Sequence, residues 1–197
     1  MEEGLEPQEL FEQAERSHHV SNHEEHEKAE ALSKAFTMRS AVTASVLAVG
    51  AALASLLSGH AANEAILKTV EASDRWSYYQ ATSTKSHIFE ANKALLASLA
   101  QDVNSDATKK SLASFDTKLQ KYEKQKEDIQ REAQKLEKIA AVEFARHQHF
   151  SLSVAALQIG IVLSSVAILT KSRLMFFESI LAGVIGIGFV LYGAFGH

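Results

Sequence analysis

Residues 40–59 read SAVTASVLAVGAALASLLSG, a stretch with no charged side chain, and its reading decides the fold. A helix rises about 1.5 Å per residue, so about 20 apolar residues cross a hydrocarbon layer about 30 Å thick. Two later stretches also qualify. Residues 152–170, LSVAALQIGIVLSSVAILT, include Gln158, and residues 174–195, LMFFESILAGVIGIGFVLYGAF, hold a single charge at Glu178. Burial inside a soluble domain is a poor alternative, because three all-round apolar rods need amphipathic partner helices and the rest of the chain is too polar to wrap them. The expected fold is therefore all-α: a membrane protein with three transmembrane helices and a long antiparallel helical (coiled-coil) hairpin inserted between the first and second. Its segments are an acidic, His-rich helical leader (1–34), a first transmembrane helix (35–59), an extramembrane hairpin (60–150) with its turn at 101–107, and transmembrane helices at 151–170 and 174–195.

Charge divides the chain in the same way. The leader carries ten Glu against Arg16, Lys28 and Lys34, whereas residues 60–150 carry thirteen acids and fourteen bases. A dense but balanced charge suits a solvated helical surface, and nucleic acid, which would require a basic stripe, is not an expected partner. The absence of cysteine excludes disulfides, thiolate metal sites and cysteine nucleophiles. The first apolar stretch is a poor signal peptide, since it follows a long acidic leader instead of a short basic one. If it is retained, the leader and the Lys171-Ser172-Arg173 connector share one side of the membrane, and the insert and C-terminus lie on the other. Lys28, Lys34, Arg39, Lys171 and Arg173 flank the membrane on the first side, against Lys68, Lys138 and Arg146 on the second. The positive-inside rule then places the N-terminus in the cytoplasm and exports the hairpin, in a multi-pass protein of a bacterial inner membrane.

Two uninterrupted helices are expected within the insert. No Gly or Pro occurs in 61–99 or 108–149, and the residues between resemble a turn, with Ser105 or Asp106 placed to cap the second arm. That arm shows a seam of alternating three- and four-residue steps: Leu112, Phe115, Leu119, Tyr122, Lys126, Ile129, Ala133, Leu136 and Ala140. This is a heptad with one polar position, Lys126. A turn centred near Asn104 predicts that Phe89 meets Leu119 and that Trp76 lies near Ala133 and Ile129. Each arm is expected to run without a break into its neighbouring apolar stretch.

The most distinctive local string is Ser73-Asp74-Arg75-Trp76-Ser77-Tyr78-Tyr79-Gln80-Ala81-Thr82-Ser83. Here the chain resembles a bacterial membrane family known as domain of unknown function 4337, whose members carry a similar N-D-x-W-x-x-Y-Q-A-K-S pattern after the first membrane helix. Ser73 replaces the expected Asn and Thr82 the expected Lys. The resemblance extends over nearly the whole chain and implies an architecture without an activity. Physically, Trp76 and Tyr79 share a helix face with Gln80 beside them, and Arg75 can stack on Tyr79. These four residues are interface candidates, toward the opposite arm, a neighbouring subunit, or a ligand or partner protein.

Other candidates lie at the two ends of the chain. His19, His23 and His26, among the acids of the leader, are candidate metal ligands, and His19 and His23 are one helical turn apart. Ser21 to Glu24 also reads as a capping box, which would start a new helix and separate them. Glu178 is costly to bury unpaired, and an ion pair with Arg39 is expected to tie the first and third membrane helices together. Ala41, Ser45, Ala48 and Ala52 on the first helix, with Ala182, Gly186 and Gly193 on the third, mark faces for close approach.

No phosphate-binding glycine loop, nucleophile elbow or H-E-x-x-H motif occurs, so neither enzymatic activity nor a cofactor is expected. The sequence reads as a non-enzymatic scaffold or adaptor whose partners are itself, as a homo-oligomer, membrane lipid, and another protein at the hairpin. Two alternatives are a small channel or ion-coupled component using Glu178 and Gln158, and a metal-responsive membrane protein using the histidines of the leader.

Overall fold

The computed structural model describes residues 7–100 and 105–196, with side chains described from residue 26 onward. These residues form three helices, α1 (Pro7–Leu99), α2 (Asp106–Thr170) and α3 (Arg173–Phe195). Among the described residues there is no strand. α1 passes Ser21 without interruption, so the capping-box sequence starts no new helix. Local signals of that kind are weak beside the cooperative extension of a helix already formed. The leader, the first apolar stretch and the first arm thus share one helix, and the second arm and second apolar stretch share another. Of the turn expected at 101–107, residues 101–104 lie outside the described part. Ser105 caps α2: its hydroxyl accepts the Thr108 N–H at 3.3 Å, and its carbonyl accepts the Lys109 N–H at 3.0 Å. Between α2 and α3 the chain reverses through Lys171, whose φ of 52° puts a residue with a Cβ in the left-handed region.

Contacts divide the chain into two units. The first holds α1 up to residue 55, α2 from 151, and α3 up to 191. Its α1 face runs through Ser40, Leu47, Ala51 and Ala54, all buried. Leu47 fills the space left by Gly183 and Gly160, where an added Cβ would meet its methyl carbons at 2.6 and 2.9 Å. Leu157 occupies the equivalent space at Gly186, at 2.7 Å, and lies 3.7 Å from the corresponding point at Gly50. Three helices therefore close around two leucines because the facing positions are glycine. Ser164 Oγ donates to the Ser40 carbonyl at 2.7 Å, and Phe36 meets Phe176 edge-on at 5.7 Å. The small-residue face expected on the first helix is displaced from this contact. Ala41, Ser45, Ala48 and Ala52 are exposed, and the packed face lies at the positions around them.

The second unit holds α1 from residue 56, α2 up to 150, and the residues from 192. Its contacts run in opposite directions along the two helices: Ser58 with His147, Trp76 with Glu137, Ser86 with Glu123, Lys93 with Asp116. On α2, the nine seam residues from Leu112 to Ala140 are all buried or half-buried, with Ala133 at 0 % exposure. Phe89 packs at 5.9 Å from the Phe115 ring and 5.5 Å from the Tyr122 ring, the residues that bracket Leu119. The α1 side of this contact is built from Ala61, Ala65, Ala72, Thr82 and Ser86, all buried. At the end of α3, Arg146 Nε donates to the Gly193 carbonyl at 3.2 Å and supplies a cation to the last turn of the helix.

Candidate functional site

Small residues on both helices of the second unit let the backbones approach and leave larger side chains standing at the flanks. Between residues 62–76 of α1 and 137–147 of α2 this produces an open apolar groove of about 770 Å³. Ile66, Val70 and Phe144 line it and remain 62 %, 52 % and 54 % exposed. Trp76 closes one end, its indole N–H donating to Glu137 Oε1 at 2.8 Å. The other end holds His147, whose Nδ1 lies 3.0 Å from the Ser58 carbonyl and 2.9 Å from the Ser58 hydroxyl. A groove with apolar walls and a polar group at each end fixes an occupant by shape and apolar area, with few orienting bonds. It offers a surface for binding, without a constellation suited to bond-making.

The four interface candidates are divided between two flanks. Trp76 and Tyr79 stay together, edge-on at 5.6 Å, on the side facing α2. Trp76 reaches one turn beyond Ala133, to Glu137, because helical side chains lean toward the N-terminus of their own helix. Arg75 does not stack on Tyr79. It points to the opposite flank, where its Nε lies 3.3 Å from Glu132 and it lines a second groove of about 530 Å³. Gln80 is exposed and belongs to neither groove. The cation over Tyr79 is Lys126, 6.0 Å from the ring centroid. Its ammonium donates to both Glu123 oxygens, at 2.9 and 3.1 Å, and this bonding holds it protonated above its ordinary range.

The predicted Arg39 and Glu178 bridge is not formed. Both side chains are exposed, and among the described residues neither takes part in an ion pair. Helical phase explains the difference: α3 packs through Phe176, Ser179, Gly183 and Gly186, and Glu178 lies one residue, about 100°, off that line. In the leader, His26 is exposed, while the His19 and His23 side chains lie outside the described part. Among the described residues no three metal-ligating groups converge. The Ser58 and His147 link and the Trp76 and Glu137 bond escaped the sequence reading, since each joins residues more than 60 positions apart and depends on the pairing of the arms.

Among the described residues, three helices are long and apolar enough to cross a membrane, which defines the class as an all-helical membrane-type protein with a polar two-helix insert. Within that class, the family model described as Domain of unknown function (DUF4337) matches residues 36–196, and the chain belongs to this family. No curated protein and no solved structure matches it.

Proposed function

We propose that this protein is a non-enzymatic scaffold or adaptor of the bacterial inner membrane, self-assembling through its transmembrane helices and its antiparallel coiled-coil hairpin. The observation that carries the reading is the groove between the arms. Ile66, Val70 and Phe144 stand exposed beside Trp76 on the otherwise charged insert, and contiguous apolar surface of this kind marks a protein contact. The proposed occupant is a second copy of the chain, because the insert's thirteen acids and fourteen bases let identical surfaces meet without net repulsion.

The test is a mass measurement of the protein extracted in native membrane particles. Several copies per particle are expected, and fewer copies for the Ile66→Glu, Phe144→Glu double variant, which puts two carboxylates into the groove. A single copy in the unaltered protein overturns the reading.

A further inference from the structure

The packed side of α2 in the first unit runs through Ser153, Leu157, Gly160, Ser164 and Ala167. A different side carries Ala155, Gln158, Val162, Ser165 and Leu169, again at alternating three- and four-residue steps, and all five are exposed. A shallow groove of about 400 Å³ lies along it, lined by Ala155, Gln158, Ile159, Val162 and Leu163. Ser165 turns its hydroxyl back to the Ile161 carbonyl at 3.0 Å. Gln158 has no equivalent: among the described residues its amide takes part in no hydrogen bond.

In hydrocarbon an amide without partners is expensive, since lipid tails offer neither donors nor acceptors. Gln158 stands six positions inside the apolar stretch, about 9 Å along the helix, and its short side chain does not span that distance to water. A second Gln158 is the simplest partner. A primary amide has two donor hydrogens and an acceptor oxygen, so two copies related by a twofold axis along the membrane normal satisfy each other reciprocally. The neighbouring residues permit the approach: Ala155 and Ser165 are small, one turn or two from the amide on the same stripe.

We infer that the Ala155-Gln158-Val162-Ser165 face of α2 is the membrane contact between two copies of this chain, with paired Gln158 amides setting its register. This rests on the self-assembly proposed above and specifies where it occurs. A single polar side chain in an apolar seam fixes alignment more than it adds affinity. Interhelical bonds of this type change association by roughly 3- to 30-fold.

Because the chain has no cysteine, single-cysteine variants report the contact directly. Full-length Gln158→Cys in lipid vesicles is expected to form disulfide dimers under mild oxidation, whereas Val184→Cys, on the exposed side of α3, is not. In a lipid dilution series, Gln158→Leu is expected to weaken association roughly 3- to 30-fold and Gln158→Asn to retain most of it. Should the native protein hold several copies while Gln158→Cys fails to crosslink and Gln158→Leu associates undiminished, this interface is overturned and the scaffold reading stands. A single copy in native membrane particles removes both.

Discussion

Gly186 shows how much one hydrogen atom decides. An added Cβ there would lie 2.7 and 2.9 Å from Leu157 carbons and 3.2 Å from the Ser153 carbonyl oxygen, so Leu157 or the α2 backbone has to move. Overpacking of this kind costs about 1 to 3 kcal/mol. Two positions on, Gly188 has nothing within 4 Å of the same point, and alanine there gains helix propensity of about 0.5 to 1 kcal/mol. Thermal unfolding in detergent is expected to place Gly186→Ala below and Gly188→Ala level with or above the parent. Equal loss at both positions would remove the close approach around Leu157. Trp76 offers a second residue-scale probe, since it is the only tryptophan and closes one end of the groove. Its emission is expected to shift to shorter wavelength as the assembled protein forms from dilute detergent. The Ile66→Glu, Phe144→Glu variant should show no shift.

At the scale of the element, α2 was largely legible and the facing side of α1 was not. The α2 seam uses Leu, Phe, Tyr and Ile at most positions, so hydrophobic spacing reveals it. On α1 the matching positions are Ala61, Ala65, Ala72, Thr82 and Ser86, which a search for large apolar residues passes over. Glu178 and Arg39 failed for a related reason: charge complementarity proposed the pair, but helical phase put the packing line one residue away. Lys126, the polar member of the seam, makes the element testable by pH. Its hydrogen bond to Glu123 raises its pKa above the ordinary 10.5, so its contribution is fully present below that value and is lost as pH rises through the elevated folded-state pKa. The melting difference between the parent and Lys126→Met is expected to stay constant from about pH 6 to 9 and to move toward the variant in more alkaline solution. A difference that is flat through the alkaline range would show that the Glu123 bond adds nothing to folding.

For the molecule as a whole, the sequence established its class and the location of its polar insert, and the remaining question is which side of the membrane the insert faces. Lys171 and Arg173 decide it most directly, because they sit in the short connector between α2 and α3 and are its only charges. Orientation responds to lysines and arginines in short loops near the spans, while acids count little, so the ten Glu of the leader do not offset them. The proposed cytoplasmic connector therefore requires that removing both charges erode the orientation. Ser98→Cys, near the end of α1 in the insert, gives an exposed label site in a chain that has no other cysteine. On intact spheroplasts a membrane-impermeant maleimide is expected to label this variant fully. With Lys171→Gln and Arg173→Gln added, labelling is expected to fall to a mixture, since Lys28, Lys34 and Arg39 then face Lys68, Lys138 and Arg146 at equal count. If Ser98→Cys becomes reactive only after lysis, the insert faces the cytoplasm. The assembling surface in its groove would then recruit partners from that side.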